Sequence, residues 1–272
     1  MRKFFLFALL LFSFSVQVFA HSGKPKYHVI IDTDGAVDDM RSLSMFLAGN
    51  DIRVLAITCS QGTLSPYDVF KKVKSLISAF HHEGVPLGIG KNTEFKPPVW
   101  SSFAQNIIWG KEINFNTDSI ISSNELLNGV TAGYKDKIIL IALGSLKTYA
   151  DWIKESPSIA DKIERIIWYN NHKTEEGFNY KASAESFEFI KQSGILLEIV
   201  SATINSLSVN NNYIRQLQDC NSIYAQQIVN VHNQNIVKEK IDQNHLKLWD
   251  DLVPLYLTVP ILFETKQETI SN

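Results

Sequence analysis

The sequence has few cysteines and no excess of charge of one sign, and both shortages exclude classes of protein. Its two cysteines, Cys59 and Cys220, are too few and too far apart for a disulfide framework. Lys and Arg number 26 against 28 for Asp and Glu, which gives a formal net charge of −2. Because the sequence has no basic stripe, a nucleic acid is not an expected partner. It also has no internal repeats and no low-complexity linker.

Long apolar runs are scarce as well, and the one at the N-terminus has the form of a targeting signal. Residues 1–3 are a basic start, residues 4–16 are apolar, and residues 18–20 form a small-residue cleavage pattern. The apolar run is short for a membrane span, and His21 rather than Cys follows, which argues against a lipoprotein. We therefore predict a signal peptide over residues 1–20 and a single domain over residues 21–272. The predicted location is secreted or periplasmic, with no stable membrane anchor after cleavage.

Strand-like runs alternate with helical patterns along the rest of the chain. Continuous apolar runs suit parallel strands that are covered on both faces. The alternation predicts an α/β fold with a doubly wound, mainly parallel sheet, helices on both faces and a helical C-terminal third from Ser208. The predicted strands are residues 29–31, 53–59, 85–89, 137–142, 163–169 and 195–200, and the predicted helices are 40–47, 66–82, 146–153, 184–192 and 249–257. Between Gly90 and Gly133 the alternation breaks, and this aromatic insertion predicts a functional loop or lid.

Four carboxylates follow the first predicted strand within eight positions, namely Asp32, Asp34, Asp38 and Asp39, with Gly35 permitting a tight turn between them. The carboxyl end of a strand is where open α/β sheets bind ligands. A capped helix start explains Asp38 or Asp39 alone, since acids are favoured there. A hard cation such as Ca²⁺ or Mg²⁺ explains all four, because these ions take carboxylate oxygens. The sequence therefore predicts a metal site on this loop.

Two stretches resemble known families. Asp32-Thr-Asp-Gly-Ala-Val-Asp-Asp39 resembles the Asp-x-Asp-Pro-Gly-x-Asp-Asp signature of the nucleoside hydrolases, and its first four residues also resemble the start of haloacid-dehalogenase phosphatases. Residues 249–263 resemble the C-terminal nucleoside hydrolase segment His/Trp-Asp-x-Leu-Ala, which the phosphatases have no reason to carry. Without a family, this second stretch reads equally well as a helix charge pair beside a core tryptophan. The nucleoside hydrolase resemblance covers nearly the whole mature chain, so it implies that fold and leaves the phosphatase as a minor alternative.

The resemblance implies a calcium-dependent hydrolase. Asp34, Asp39 and Asp250 would hold Ca²⁺ through their carboxylates, with the main-chain carbonyl of Lys147 as a further ligand. The ion would orient the ribose hydroxyls and lower the pKa of a water molecule. Asp34 would be the catalytic residue, taking the proton of that water as general base, and Asp32 would support the loop.

The resemblance also implies a set of substrate contacts. Asp38 would bind the ribose 2′-hydroxyl, and Asn179 falls on the family's ribose-binding asparagine. Trp109 and Trp249 stand where one branch has histidines, and both resemble the purine-preferring branch, in which two tryptophan rings sandwich the base. The alternatives are a loop asparagine for Asn179 and core residues for the two tryptophans.

Several positions depart from the family pattern. Tyr169-Asn-Asn-His172 replaces Met-Gly-Gly-Ala, Gly177 replaces a glutamate, and Gly62-Thr63 replaces Gly-Asn. Because these positions usually hold the ribose, the substrate is open between a ribonucleoside and another ribosyl compound. The expected function is exported, calcium-dependent hydrolysis of the N-glycosidic bond of ribonucleosides with a purine preference. A non-catalytic, calcium-dependent binder of nucleosides or sugars is the alternative, and a homo-oligomer is left open.

Overall fold

Within residues 24–114, 119–202 and 207–267, which the computed structural model describes, seven strands form one sheet. The predicted signal peptide lies outside the described residues. Every strand pairs in parallel with its neighbours, in the order β4-β3-β2-β1-β5-β6-β7. The strands are β1 (Tyr27–Thr33), β2 (Ile52–Cys59), β3 (Leu87–Ile89), β4 (Ile121–Ser122), β5 (Ile138–Ala142), β6 (Ile163–Tyr169) and β7 (Leu197–Val200).

Helices cover both faces of this sheet. They are α1 (Val37–Ala48), α2 (Pro66–Ala79), α3 (Ser101–Asn106), α4 (Ser123–Ala132), α5 (Lys147–Glu155), α6 (Phe178–Ala182), α7 (Ala184–Gln192), α8 (Asn211–Gln218), α9 (Ile223–His232), α10 (Asn235–Asp242) and α11 (Leu252–Thr258). Short 3-10 segments lie at Pro157–Lys162, Thr174–Glu176 and Pro260–Leu262. In the described parts of the chain, no helix is long and apolar enough to cross a membrane.

Successive side chains of β1 point to opposite faces of the sheet and enter two separate apolar clusters. Val29 and Ile31 pack with α1, α2, α9 and α11, whereas Ile30 packs with α4, α5 and α7. Burial on both faces explains why the strands read as continuous apolar runs. The predicted doubly wound, parallel α/β architecture with a helical C-terminal third is confirmed.

The order of the strands reverses at β1. The chain adds β2, β3 and β4 on one side of β1 and then returns to add β5, β6 and β7 on the other. At the carboxyl ends of β1 and β5, Asp32 lies opposite Ala142. A crevice opens at such a reversal in open α/β sheets, so the fold places the predicted acidic loop at its binding edge.

Some element boundaries differ from the predicted ones. Strand β1 continues through Asp32 and Thr33, because both pair with the end of β2. Helix α1 begins at Val37, so Asp38 and Asp39 lie in its first turn rather than before it. The insertion after Gly90 is not wholly irregular, since it contains α3, β4 and α4. A strand of two residues offers too few positions for a periodic signal.

Candidate active site

Asp32 is buried at the end of β1 and bonds to the neighbouring strand. Its Oδ1 accepts a hydrogen bond from Thr58 Oγ1 at 2.6 Å, and its Oδ2 accepts one from Ser60 Oγ at 2.7 Å. Burial raises the pKa of Asp32 to about 7, although both hydroxyls oppose that shift by favouring the ionised form. The side chain therefore ties β1 to the end of β2 beside the other acids.

The loop after β1 is closed by Asp39. Its Oδ2 accepts hydrogen bonds from Thr33 Oγ1 at 2.6 Å and from the Asp34 amide nitrogen at 3.0 Å. Gly35 has a φ of +81°, in the left-handed region that side chains other than glycine rarely adopt. This turn lets α1 start two residues later and brings its first acids back over the end of β1.

Three acids converge at this point. Asp38, Asp39 and Asp250 each place a carboxylate oxygen within 4.8 Å of the other two. Burial, and then the charge of Asp39, raise the pKa of Asp38 to about 7 and that of Asp250 well above its ordinary value. Burial likewise raises the pKa of Asp39. We call these three residues the acidic trio.

The acidic trio has the donor set of a hard-cation site. Asp250 Oδ1 is buried and has no hydrogen-bond partner among the described residues, which is costly for a carboxylate oxygen. A divalent cation would coordinate that oxygen and offset the repulsion among the three acids. The residues present therefore fit a metal ion such as Ca²⁺.

The acidic trio shares two members with the predicted ligand set of Asp34, Asp39, Asp250 and the Lys147 carbonyl, and that set stays a prediction. Asp39 and Asp250 do meet, but the third member is Asp38 rather than Asp34. Asp34 Oδ1 accepts a hydrogen bond from the amide nitrogen of Ala36 at 3.3 Å, and its Oδ2 lies against Gly62. Asp34 still lies within electrostatic reach, since burial and then the charge of Asp39 raise its pKa. Lys147 is the first residue of α5, and its carbonyl ligand role stays a prediction.

Asn179 joins the ends of two strands. Its amide nitrogen donates to the Leu143 carbonyl at 2.7 Å and to the Tyr169 carbonyl at 3.0 Å, just beyond β5 and at the end of β6. Both amide protons are thereby used within the protein. Any ribose contact of Asn179 would have to be made by its remaining polar atom, the carbonyl oxygen Oδ1.

The two predicted base-contacting tryptophans lie in different environments. Trp109 is only 2% exposed and belongs to the apolar core, where its ring meets the His232 ring edge-on at 6.4 Å. Trp249 is 45% exposed and precedes Asp250. The placement of Trp109 does not match the predicted sandwich, because protein covers its ring. The exposed tryptophan of the insertion is Trp100, whose ring lies 5.4 Å from that of Phe178.

The departures after β6 fit one another sterically. Asn170 is buried, and its amide nitrogen donates to the Thr174 carbonyl at 2.9 Å. A Cβ added at Gly177 would overlap the Asn170 amide. A glutamate at position 177 is therefore incompatible with Asn170 in this position. The buried Asn170 Oδ1 also lacks a hydrogen-bond partner among the residues that the structure describes.

Sequence reasoning missed a buried ion pair beside the acidic trio. Arg41, fully buried in α1, donates from Nε and Nη2 to the two carboxylate oxygens of Asp251 at 2.9 and 2.8 Å. His232 Nε2 lies 3.5 Å from Arg41 Nη1. An arginine three positions after Asp38 was the available signal, but partners 210 positions apart leave no periodic trace in a sequence.

Comparison with known proteins identifies the family. A family model described as inosine-uridine preferring nucleoside hydrolase matches residues 29–271. The chain belongs to this family. Uridine nucleosidase 1 of Arabidopsis thaliana is 22% identical over 216 residues, which are 74% of this chain and 64% of that protein. The pyrimidine-specific ribonucleoside hydrolase RihA of Klebsiella pneumoniae is 23% identical over 182 residues, 61% of this chain and 57% of that protein. The chain thus matches less than two thirds of either relative's length.

Solved structures support the same fold. A plant nucleoside hydrolase, PpNRh1, superposes with a TM-score of 0.74 at 18% identity, over 88% of this chain and 81% of that chain. A purine-preferring ribonucleoside hydrolase from Gardnerella vaginalis gives a TM-score of 0.73 at 16% identity, over 88% and 82% of the two chains. The predicted family and its fold are confirmed, and the phosphatase alternative is set aside.

Proposed function

We propose that the protein hydrolyses the N-glycosidic bond of ribonucleosides, giving ribose and free base, with Ca²⁺ as cofactor. The observation that carries this proposal is the convergence of Asp38, Asp39 and Asp250 at the reversal of the sheet, with Asp250 Oδ1 unpaired, in a nucleoside hydrolase family member. The acids lie where open α/β sheets bind their ligands. Three converging carboxylates, two of them buried and one partly buried, are otherwise an electrostatic cost.

In the proposed scheme, the carboxylates have two roles, which are binding the ion and accepting a proton. Asp39 and Asp250 would hold Ca²⁺ together with Asp34 and the Lys147 carbonyl. Asp38, a member of the acidic trio, would bind the ribose 2′-hydroxyl beside the ion. The bound ion would supply positive charge that orients the ribose hydroxyls and lowers the pKa of a water molecule.

Asp34 would then accept the proton of the attacking water, while the bond between the ribose and the base breaks and the departing base takes a proton from solvent. In the metal-free protein, burial and then the charge of Asp39 raise the pKa of Asp34 well above its ordinary value. A nearby positive charge favours the ionised form, which is the form a general base needs. No covalent intermediate forms in this scheme, and Asn179 Oδ1 would accept a hydrogen bond from a ribose hydroxyl.

We further propose a preference for purine ribosides. The named relatives differ, since two carry uridine or pyrimidine names and one solved structure a purine name. The support comes from two exposed tryptophans. Trp249 is half-exposed next to Asp250, and Trp100 is half-exposed in the insertion, whereas Trp109 is buried. Stacking on aromatic side chains contributes about 1–3 kcal/mol per base, and a purine offers the larger face.

The base preference is tested by the ratio of kcat/KM for inosine to that for uridine. We expect a ratio above one in the wild type and a ratio close to one in Trp249→Ala, because the stacking surface is removed. Trp109→Phe is the matched control, since a buried core ring should leave the ratio unchanged. A wild-type ratio at or below one, or a ratio that Trp249→Ala does not move, would show that Trp249 does not select the base by stacking.

Export through the predicted signal peptide over residues 1–20 is part of the proposal. The basic start, the apolar run and the small-residue pattern before His21 support it. N-terminal sequencing of the protein released by a secreting host should begin at His21. A mature chain that retains Met1 would refute cleavage.

A non-catalytic binder of nucleosides is the second candidate, favoured by the altered loop that contains Asn170 and Gly177. Reducing-sugar release from inosine, adenosine, guanosine, uridine and cytidine, with Ca²⁺ and with chelator, separates the two. Hydrolysis that requires Ca²⁺ supports the enzyme. Nucleoside binding without release of ribose supports the binder.

A further inference from the structure

A buried ion pair links the two parts of the chain that supply the acidic trio. Arg41 lies on α1, one turn after Asp38, and Asp251 stands between Asp250 and the start of α11. Both side chains are almost completely shielded from solvent, and their closest atoms, Arg41 Nη2 and Asp251 Oδ2, are 2.8 Å apart. The pair therefore adjoins the proposed metal site without belonging to the acidic trio.

Four of the five guanidinium N–H groups of Arg41 are directed at partners outside the acidic trio. Nε and Nη2 bond to Asp251, Nη2 also donates to the Lys247 carbonyl at 2.5 Å, and Nη1 faces His232 Nε2 at 3.5 Å. His232 Nδ1 lies 2.7 Å from the Ile228 carbonyl and donates to it, which leaves the Nε2 lone pair free to accept from Arg41. The guanidinium thus has a fixed set of acceptors.

Without those acceptors, the guanidinium would have another carboxylate within reach. Residues three apart on a helix are neighbours, and an arginine pairs strongly with a carboxylate in a buried setting. Asp38 is that neighbour, and it is a member of the acidic trio. An Arg41–Asp38 pair would occupy one oxygen donor of the site and place a positive charge where the cation must bind.

We infer that Asp251 is a positioning residue that holds the Arg41 guanidinium away from Asp38 and so keeps the acidic trio open for a cation. The inference rests on the proposed calcium site and deepens it, because it makes the Arg41–Asp251 pair a determinant of Ca²⁺ affinity. A purely structural role is the competing explanation, since the pair also joins α1 to the segment before α11. The two explanations predict different Ca²⁺ affinities for a variant that lacks both partners.

The experiment measures the dissociation constant of Ca²⁺ by calorimetry on the wild type, on Asp251→Asn and on the double variant Arg41→Met/Asp251→Asn. Asp251→Asn leaves Arg41 uncompensated beside Asp38, so we expect about tenfold weaker Ca²⁺ binding, the size of one hydrogen bond to a charged group. The double variant removes the competing charge, so its affinity should return to within about threefold of the wild type or become tighter.

Glu198→Gln is the matched control. Glu198 Oε2 lies 3.2 Å from Arg165 Nε in a partly buried ion pair between β6 and β7. We expect this variant to lower the melting temperature measured in chelator while leaving Ca²⁺ affinity unchanged. It separates the general loss of an ion pair from an effect on the acidic trio.

The outcomes distinguish failure of this inference from failure of the proposed function. A wild type that binds no Ca²⁺ refutes the calcium site, and the inference falls with it. If the wild type binds Ca²⁺, the inference alone is overturned when Asp251→Asn binds equally tightly or when the double variant stays as weak as the single one. If Asp251→Asn does not fold, Arg41→Lys tests the inference instead, because lysine keeps the positive charge but cannot form the bidentate pair with Asp251. Its affinity should fall at least about threefold, and an unchanged affinity would overturn the inference.

Discussion

The proposed chemistry depends on Asp34, which is not a member of the acidic trio. Asp34→Asn keeps an oxygen in place but cannot accept a proton, so we expect kcat to fall by roughly a hundredfold or more. Because asparagine keeps an oxygen that can bind the ion, Ca²⁺ affinity should change less than turnover does. Steady-state kinetics and calorimetry on the same variant check both statements. Asp161→Asn, at an exposed position, is the control, and near wild-type turnover in Asp34→Asn would contradict the assigned role.

For single residues, the sequence indicated the acids better than their arrangement. Four aspartates after an apolar strand predict a cation site, since chain proximity alone brings them together. Which three converge depends on the turn at Gly35 and on where α1 begins, and a single sequence does not specify these to within one residue. The burial of Trp109 could also not be predicted from the sequence, because an aromatic residue in an irregular insertion packs in the core as readily as it lines a site.

Among the elements, the segment from β6 to α6 contains a close steric fit between Gly177 and Asn170, which a substitution can test. A Cβ at position 177 would overlap the Asn170 amide, so Gly177→Ala should displace that buried side chain and lower the melting temperature. Gly129→Ala is the control, because its Cβ meets no atom within 4 Å and alanine favours the helix α4 that contains it. Thermal melts of both variants measure the difference. Equal melting temperatures for Gly177→Ala and the wild type would mean that the loop accommodates the added methyl group without displacing Asn170.

Elements with strong periodicity were predicted well, and short ones were not. The strand over residues 163–169 and the helix over residues 184–192 match the structure at both ends. Strand β4 and helix α4 were not predicted within the insertion, because two strand residues show no alternation and α4 presents only a narrow apolar face.

For the whole molecule, alternating strands and helices implied a parallel sheet but not the order of its strands. The reversal at β1 depends on which side of the sheet each connection takes, and that choice is made by packing of the complete chain. The same reversal brings residues from the C-terminal segment beside those of the first loop, as the meeting of Asp39 with Asp250 shows. Contacts between residues so far apart in the chain were predicted only from the family resemblance.

The burial of so many acids predicts an unusual dependence of stability on pH. Burial raises the pKa of Asp32 and of Asp38 from 3.8 to about 7, so the folded chain keeps protons that the unfolded chain releases. The free energy of unfolding of the metal-free protein should therefore fall as pH rises from about 4 to about 7. Burial lowers the pKa of His232 from 6.5 to about 3, which gives the opposite slope, but one histidine is outweighed by the acids.

Melting temperatures in chelator, from about pH 4 to about pH 7, measure this slope. We expect them to decrease with pH, and we expect added Ca²⁺ to reduce the decrease because the ion compensates the ionised carboxylates. Melting temperatures in chelator that rise over the same interval would contradict the buried, metal-free arrangement.

Calcium-dependent hydrolysis at the acidic trio is tested by the initial rate of ribose release from inosine as a function of free Ca²⁺ concentration. We expect no release in chelator, a saturable rise with Ca²⁺, and recovery when Ca²⁺ is restored. Asp39→Ala should give no response, because it lacks one carboxylate of the acidic trio. A rate that is the same with Ca²⁺ and with chelator, or an Asp39→Ala variant that responds to Ca²⁺ as the wild type does, would refute a calcium-dependent active site at these three residues.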